Sequence, residues 1–361
     1  MGLAGAVFDR LVAARNRLLA APAFQKFAVS FPLFRPVSRQ RSRQLFDLLA
    51  GFAYSQVLYA TVKLGLIDML TERALALPAL ASRLGWQPDR LERLLKAAVS
   101  LKILEQTSTG DYTLGIHGAA LAGNPWIARF ITHHHILYED LSDPLAVLSG
   151  AKKDCKLKDF WNYDSTAHAA DYTALMAASQ QAVTAEILAA YDFSRHQHLI
   201  DVGGSNGTFL AAVAQKHPAL KLTLFDLPAV AEIARANLGS RAEIQPGSFL
   251  TDELPKGPDV ATLIRIAHDH DDPAVLTMLA AIRRMLPPHG VLILAEPLSG
   301  IHATAPIADA YFGLYFAAMG QGRTRSAGEI AKLALEVGFA SVNVVKTRNP
   351  VVTGLLRLNV S

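Results

Sequence analysis

The spacing of hydrophobic positions changes near residue 191 of this 361-residue chain. Before that point apolar residues recur every three or four positions, as in helices, whereas from residue 198 short apolar runs alternate with helical stretches. The expected strands are 198–203, 221–226, 242–247, 259–265, 290–296, 341–346 and 352–358. Strands that alternate with helices predict a parallel, doubly wound sheet whose ligands bind at the carboxyl ends of the strands. The last two strands, joined by a short turn, are expected to form an antiparallel hairpin.

The N-terminal half has the pattern of a winged-helix unit. Helical spacing covers 44–70, 77–85 and 88–101, and two short strands at 103–105 and 112–114 flank a turn at 108–110. This arrangement raises DNA binding as a function, but the helix at 88–101 carries acidic as well as basic residues and the wing has no Lys or Arg. We therefore expect a scaffolding or dimerisation role without nucleic acid. The predicted division is a basic arm (1–45), a helical winged-helix domain (46–190) and a catalytic domain (191–361).

The first 47 residues are strongly basic, with eight Lys or Arg against two Asp. Apolar residues recur at helical spacing beside these cations, and such a segment can lie on an anionic membrane surface. The alternative is a helix that packs on its own domain or on a dimer mate. No apolar run is expected to reach the ~18 residues of a spanning helix. Cys155 is the one cysteine, which fits a reducing cytoplasm, so the expected location is cytoplasmic or peripheral to a membrane.

A glycine-rich turn follows the first strand of the catalytic half. Glycines stand at 203, 204 and 207, and Asp226 ends the next strand. Glycine lets a ligand approach bare backbone, the following helix offers free N–H groups, and a carboxylate can accept both ribose hydroxyls. The pattern predicts a nucleoside-containing cofactor, S-adenosylmethionine (SAM) or a dinucleotide, although the spacing departs from the dinucleotide fingerprint. The alternative is a turn that needs glycine only for strand–helix packing.

Ionisable residues cluster after the fourth strand of this half, in the run from His268 to Asp272. His268 lies where the strand delivers residues to the ligand cleft, so its imidazole is a candidate general base. Alternating carboxylates and imidazoles also permit a metal site, but adjacent residues rarely converge on one ion, and Asp271 and Asp272 suit a helix N-terminus. We expect no metal here. The histidines at 133–135 are expected to line a pocket or to be buried.

Two further carboxylates are candidates to support His268. Glu296 ends the fifth strand and so reaches the same edge of the sheet, and Glu329 begins a helix after a loop rich in glycine and arginine. A carboxylate on the far nitrogen of the imidazole would fix its tautomer and stabilise its protonated form. For Glu329 the alternative is an ordinary carboxylate at a helix start.

Several motifs follow one another at the spacing of one family, namely 201–207, 225–228, 246–249, 265–269 and Arg323-Thr324 before Glu329. Over roughly residues 45–361 the sequence resembles the plant-type small-molecule O-methyltransferases, which include the caffeate and hydroxyindole enzymes. The basic arm and the segments 54–58 and 133–138 are most similar to bacterial carotenoid O-methyltransferases of the hydroxyneurosporene and demethylspheroidene type.

This resemblance implies a class I SAM-methyltransferase fold with an N-terminal, mostly helical winged-helix domain that forms a homodimer. It implies that Gly203 lines the methionine part of SAM, that Asp226 binds the ribose, and that residues 247–249 border the adenine. The implied cofactor-binding residues are Gly203, Asp226, Gly247, Ser248, Phe249 and Arg265. The family usually has Asp where Ser248 stands, so we expect the contact with the adenine amino group to be weaker or missing.

The resemblance also implies that His268 removes the proton of the acceptor, with support from Glu296 and Glu329. The expected acceptor is a hydroxyl of an apolar small molecule, a hydroxycarotenoid by the narrower resemblance, and the location is then cytoplasmic or peripheral to the inner or photosynthetic membrane. The alternatives are a phenolic or polyketide acceptor and, from another class, a catalytically silent SAM-fold regulator that binds DNA. The residues expected to line the acceptor pocket, which at helical spacing are equally typical of a core, are Met176, Tyr311, Tyr315 and Met319.

Overall fold

The structure is a computed structural model that describes residues 3–161, 169–301 and 304–361, with side chains described from residue 5 and outside 162–179. It divides into two compact units, Met1–Gly123 and Asn124–Ser361. The predicted boundary at residue 190 falls inside the second unit. The reason is that Val183 and Ile187, which precede it, are buried in the same apolar cluster as the strand residue Leu199.

The first unit is helical apart from one small hairpin. Its elements are α1 (Leu3–Ala20), α2 (Pro22–Ser30), α3 (Arg35–Lys63), α4 (Leu66–Thr71), α5 (Leu77–Leu84), α6 (Pro88–Ser100), β1 (Leu104–Gln106), β2 (Tyr112–Leu114) and α7 (Ile116–Ala122). Strands β1 and β2 pair antiparallel, with Leu104 opposite Leu114. The predicted order of helix, turn, helix and wing is therefore confirmed.

The long helix of this unit differs from its prediction at both ends. Helix α3 begins at Arg35 rather than near residue 44, and the predicted continuous helix is broken at Gly65, whose φ of 69° is left-handed. Glycine adopts that conformation without a steric penalty, so the chain turns there before α4 begins.

Helix α3 is also long and apolar enough to cross a membrane by length and composition alone. An 18-residue window in it has a mean hydropathy of 1.3 and is 6% buried, and it is the one such helix among the described residues. The expectation that no segment reaches this threshold was therefore wrong. The error arose because single polar residues interrupt the apolar run without lowering its average below the threshold.

The second unit holds a seven-stranded sheet with helices on both faces. Its strands are β3 (His198–Val202), β4 (Lys221–Asp226), β5 (Glu243–Pro246), β6 (Val260–Ile264), β7 (Val291–Glu296), β8 (Ser341–Val345) and β9 (Gly354–Asn359). Its helices are α8 (Pro125–His133), α9 (His135–Asp140), α10 (Pro144–Leu148), α11 (Lys156–Phe160), α12 (Ala169–Ala190), α13 (Thr208–Lys216), α14 (Pro228–Leu238), α15 (Asp272–Met285), α16 (Phe312–Met319) and α17 (Ala327–Glu336).

The strand order β5-β4-β3-β6-β7-β9-β8 places β3 at the point where the chain changes direction across the sheet. The strands run parallel except β9, which is antiparallel to both β7 and β8. Both predictions, the parallel sheet and its closing hairpin, are confirmed. In such sheets the crevice beside the switch point, at the carboxyl ends of the strands, is where ligands bind. The central strands β6 and β7 are buried along their whole length, which gives that crevice a rigid floor.

Candidate active site

The turn after β3 requires glycine at two positions. Gly203 has a φ of 71°, and a Cβ added there would lie 2.7 Å from Cδ1 of Ile266. Gly207, which precedes α13, has a φ of 80°, and its Cβ would lie 2.5 Å from Cδ1 of Leu238. The turn is therefore shaped by both conformation and close packing, and it leaves bare backbone facing the carboxyl ends of the strands.

Asp226 ends β4 beside this turn, where it was predicted. Its carboxylate accepts hydrogen bonds from the backbone N–H of Ser205 (2.8 Å) and of Leu227 (2.7 Å), which fix its position. Burial raises the pKa of the Asp226 carboxyl, and these two hydrogen bonds oppose the rise because they favour the ionised form. The result is a preorganised, acidic acceptor next to the glycine turn.

A cavity of about 630 Å³ opens at this edge of the sheet. Five of the predicted cofactor-binding residues line it, namely Gly203, Asp226, Ser248, Phe249 and Arg265. Gly247 packs against the ring of Phe225 instead, since a Cβ added to it would lie 2.5 Å from that ring's Cζ. Its place is thus behind the wall of the cavity, where it allows the neighbouring residues 248 and 249 to reach the surface.

Ser248 uses its polar groups within its own turn. Its N–H donates to Asp252 (2.8 Å), and its hydroxyl oxygen accepts from the N–H of Leu250 (3.3 Å). This geometry agrees with the expectation of a weak adenine contact at this position, because the serine oxygen already has a local donor.

Arg265 adopts an unusual backbone conformation directly after β6. Its φ is 56°, a value that costs free energy for any residue except glycine, and its N–H donates to the carbonyl of Ala295 (2.8 Å). The bond to the neighbouring strand keeps the chain in this position. The bend leads the chain away from the sheet and into the segment that carries His268.

His268 lies in a short turn, Ala267–Asp269, and is 7% exposed. Its Nδ1 is hydrogen-bonded to the Glu296 carboxylate, and its Nε2 lies 3.1 Å from Oδ1 of Asp269, which lines the cavity. Burial lowers the pKa of His268, but the charges of Asp269 and Glu296 outweigh that effect and raise it to about 10. The imidazole is therefore a cation held between two carboxylates.

Glu296 is oriented by the backbone as well as by His268. Its Oε1 accepts from the N–H groups of Ile266 (3.1 Å) and Ala267 (2.7 Å), so the carboxylate bridges the end of β7 and the turn after β6. The structure thus brings Glu296 and His268 together, as their positions at adjacent strand ends predict.

Glu329 occupies a different place from the one expected. Its carboxylate accepts from the N–H of Ser326 (2.8 Å) and pairs with Arg323 (2.7 Å), which together hold its pKa well below its usual range. Ser326 and Glu329 form a capping box at the start of α17. In the part of the chain that the structure describes, the carboxylates on His268 come from Asp269 and Glu296, so Glu329 is a helix-start carboxylate.

A buried arginine that the sequence analysis missed fixes the histidine segment. Arg325 is 3% exposed and donates to the carbonyls of Ala267 and His270, both at 2.7 Å, and to the carboxylate of Asp272 (2.7 Å). The N–H of Arg323 donates to the carbonyl of His268 (2.9 Å). The loop before α17 therefore holds the backbone on both sides of His268.

An aromatic layer lies beside the cavity. Trp161 and Met319 line the cavity, and the indole N–H of Trp161 donates to the hydroxyl of Tyr315 (2.9 Å), which also bonds to Nε2 of His133 (2.9 Å). Burial, followed by the charges of two neighbouring histidines, lowers the pKa of His133 to about 4, so the ring is neutral and its Nε2 can accept a hydrogen bond from the Tyr315 hydroxyl. A parallel bond joins Tyr311 to His134 (2.9 Å).

Of the residues predicted to line the acceptor pocket, some lie at the cavity and others lie behind it. Met319 reaches the cavity, whereas Tyr311 and Tyr315 form the hydrogen-bonded layer behind it. The side chain of Met176 lies outside the described residues.

A doubly wound sheet closed by an antiparallel hairpin, with a glycine turn and an acidic residue ending the next strand, defines a class I SAM-dependent methyltransferase. The chain belongs to the O-methyltransferase family. The O-methyltransferase domain of that family matches residues 158–340, and its dimerisation domain matches residues 46–121. The protein is therefore a SAM-dependent O-methyltransferase, and its dimerisation domain supports a homodimer.

Individual relatives agree with this assignment. The chain is 38% identical over 348 residues to the demethylspheroidene O-methyltransferase of Cereibacter sphaeroides, with 93% of this chain and 92% of the relative covered. Identity to the enzyme of the same name from Rhodobacter capsulatus is also 38%, with 94% and 88% covered. Among solved structures, the mitomycin 7-O-methyltransferase MmcR superposes with a TM-score of 0.76 at 22% identity, covering 91% of this chain and all of that one. Human N-acetylserotonin methyltransferase, solved in complex with SAM, gives a TM-score of 0.73 at 23% identity, with 89% and 98% covered. These two likenesses confirm the fold.

Proposed function

We propose that this enzyme methylates a hydroxyl of a hydroxycarotenoid and that His268 removes the proton of that hydroxyl. The observation that carries the catalytic part is the orientation of His268, whose Nδ1 is fixed by Glu296 so that Nε2 is directed to the cavity-lining Asp269. The acceptor class is supported by the two demethylspheroidene O-methyltransferases that resemble the chain over most of its length.

The cavity suits both SAM and an apolar acceptor. Gly203 lines the cavity and has no side chain to fill it, and Asp226 offers a fixed carboxylate for the ribose hydroxyls. Trp161, Phe249 and Met319 supply apolar surface in the same cavity. When bound, SAM supplies an electrophilic methyl group on a positively charged sulfur, so the tasks left to the protein are alignment and removal of one proton.

Removal of the proton is the harder task for an alcohol acceptor. An alcohol is about as weak an acid as water, with a pKa near ~15.7, whereas imidazole has an ordinary pKa near ~6.5. The gap of roughly nine units is about 12 kcal/mol, so free alkoxide does not accumulate. The acceptor oxygen therefore loses its proton to Nε2 as it gains the methyl group, when it has become strongly acidic.

His268 must be neutral to accept that proton, and the arrangement with two carboxylates favours its cationic form. We propose that the acceptor hydroxyl takes the place of Asp269 at Nε2 before reaction. Loss of this carboxylate contact, together with a cation bound in the adjacent cavity, lowers the pKa of His268 toward its ordinary value. Glu296 remains on Nδ1 and stabilises the imidazolium that forms.

The test is a methyl-transfer assay with purified enzyme, SAM and either demethylspheroidene or a panel of phenols, with product mass as the readout. We expect the mass of one added methyl group on the carotenoid. Methylation confined to phenols would overturn the carotenoid assignment and leave the O-methyltransferase assignment intact.

His268→Ala tests the base in the same assay. Turnover should fall by ~10²–10⁴-fold, the usual range for a general base, with SAM affinity unchanged in calorimetry. His135→Ala is the matched control, because that histidine is exposed and its ring is hydrogen-bonded to the carbonyl of Thr132 near the end of α8. Near-full turnover of a folded His268→Ala enzyme would rule out proton removal by this residue.

A further inference from the structure

An exposed apolar tip lies at the turn between α2 and α3. We define this tip as residues 27–34, whose sequence is Phe-Ala-Val-Ser-Phe-Pro-Leu-Phe. Leu33 is 78% exposed, and Phe27 and Phe34 are 48% and 44% exposed. Soluble proteins rarely expose contiguous apolar surface of this kind unless another surface covers it.

The rings of the tip hold one another in place. The centroids of Phe27 and Phe31 lie 5.0 Å apart, those of Phe31 and Phe34 lie 5.7 Å apart, and those of Phe27 and Phe34 lie 6.0 Å apart. Arg35 donates to the carbonyls of Val29 (3.3 Å) and Ser30 (3.1 Å), so it ties the start of α3 to the end of α2. The tip is therefore a built feature of the helical hairpin formed by α2 and α3 rather than a set of separate apolar residues.

The chain around the tip carries positive charge without compensation. From Arg10 to Phe46 the sequence has no Asp or Glu, and it has eight cations, namely Arg10, Arg15, Arg17, Lys26, Arg35, Arg39, Arg41 and Arg43. Four of them lie in the first turns of α3, directly after the tip. A surface that combines exposed phenylalanine and leucine with unopposed cations complements a surface that is both anionic and apolar beneath its charges.

We propose that this hairpin docks on an anionic phospholipid bilayer, with the apolar tip inserted among the acyl chains and the flanking arginines on the lipid phosphates. The match to the family's dimerisation domain begins at residue 46, so the tip lies outside the matched segment. Two copies joined through the segment from Arg10 to Phe46 would also bring sixteen cations together with no carboxylate among them. A nucleic acid would neutralise the positive charge but would leave the exposed side chain of Leu33 without an apolar partner. Docking of this hairpin on a bilayer does not depend on which acceptor the enzyme methylates.

The experiment is flotation of the full-length enzyme with vesicles of phosphatidylcholine alone or of phosphatidylcholine with phosphatidylglycerol. We expect binding to the anionic vesicles that weakens as salt is added, because charge attraction between lipid and arginine is screened. The double variant Leu33→Ser, Phe34→Ser should reduce apparent affinity about tenfold, and Arg39→Glu, Arg41→Glu should reduce it by about as much and remove the preference for anionic lipid. Leu335→Ser is the matched control, since Leu335 is a leucine of α17 that is 53% exposed.

Calorimetry with SAM and the mass of the particle in solution show whether each variant is folded and dimeric. Vesicle binding that is equal in all variants, or equal for both kinds of vesicle, would overturn the proposal. A tip variant that becomes monomeric would assign the tip to a second copy of the chain. In a further outcome, the parent enzyme fails to bind vesicles but binds random DNA in a salt-sensitive way that the arginine variant loses. That result would assign the surface to nucleic acid.

Discussion

Replacement of Asp269 by Asn tests how the charge on His268 is controlled. Asp269 lies 3.1 Å from Nε2 of His268 and lines the cavity, whereas Glu296 occupies Nδ1 from the buried side. Asparagine has the same shape, and its amide oxygen can still accept the Nε2 proton. The variant Asp269→Asn therefore removes one negative charge and little else.

The expected change follows from the distance between the two groups. The charges of the His268 imidazolium and the Asp269 carboxylate are each spread over several atoms, so an effective separation of about 4 Å is appropriate. At an effective dielectric constant near 20, the attraction between them is about 4 kcal/mol. Since one pKa unit is about 1.36 kcal/mol, the loss of this charge should lower the pKa of His268 by about three units. Starting from about 10, the pKa would then lie near neutrality.

The assay is the pH dependence of kcat/KM, which reports the pKa of the essential base in the free enzyme. A base must be unprotonated, so activity rises as pH increases through its pKa. In Asp269→Asn the midpoint of this rise should move about three units toward acid, whatever happens to the maximal rate. Glu329→Gln is the matched control, and its midpoint should stay where it is in the parent, because Glu329 bonds to Ser326 and Arg323 rather than to His268.

An unmoved midpoint in a folded Asp269→Asn enzyme would refute the reasoning, because the charge of Asp269 would then have no influence on the group that limits the rate. A shift in Glu329→Gln without one in Asp269→Asn would restore the role that family resemblance assigns to Glu329.

Three further outcomes are expected. Asp226→Ala should weaken SAM binding by about tenfold or more in calorimetry, because the ribose hydroxyls lose a charged acceptor, and an unchanged affinity would remove Asp226 from the cofactor site. The raised pKa of His268 contributes stability that is complete below about pH 6.5 and is lost as pH rises through about 10. The variant His268→Gln should therefore show a smaller decline of Tm over that pH range than the parent enzyme. Parallel Tm curves for the two proteins would contradict the raised pKa. Trp161→Phe removes the N–H that is hydrogen-bonded to Tyr315. This variant should raise the KM of the acceptor several-fold and leave SAM affinity intact. A fall in SAM affinity would instead place Trp161 in the cofactor part of the cavity.

The strands could be predicted from sequence to within two residues because of how they are buried. Strand β4 occupies 221–226 as expected, β7 differs from its prediction by one residue at its start, and β6 differs by one residue at each end. Strands covered on both faces give continuous apolar runs with sharp ends, which makes their limits visible. The break in the long N-terminal helix was missed because a single glycine, Gly65, decides it through its conformation rather than through hydrophobic spacing.

Residues at strand ends could be predicted, and residues brought in by loops could not. The parallel sheet places Asp226, His268 and Glu296 at one edge, so their proximity follows from topology. Asp269 was overlooked as the partner of Nε2 because the contact depends on the tight turn Ala267–Asp269, which folds a neighbouring residue back onto the ring. Arg325 is distant from His268 in sequence, and no local signal shows that its side chain is buried.

For Glu329 the sequence did carry the answer. Ser326 and Glu329 have the spacing of a capping box, and that local bond competes directly with any longer-range role for the carboxylate. Family resemblance placed the residue near His268, and helix capping decided where its charge is used. A motif match therefore transfers a role only when the local hydrogen bonds leave the side chain available for it.

Two carboxylates near the glycine turn bear on how the site distinguishes the methyl donor from its product. Burial raises the pKa of Asp201 to about 7, although the hydrogen bond from the Thr262 hydroxyl (2.6 Å) opposes this rise. The negative charge of Asp226 adds to the rise. Burial also raises the pKa of Asp226 itself. A carboxyl whose pKa rises in this way is one whose ionised form is destabilised by its surroundings. A cation in the adjacent cavity offsets that destabilisation, and SAM carries such a charge, whereas the product left after methyl transfer does not. We therefore expect Asp226, which lines the cavity, to favour binding of the methyl donor over binding of its product.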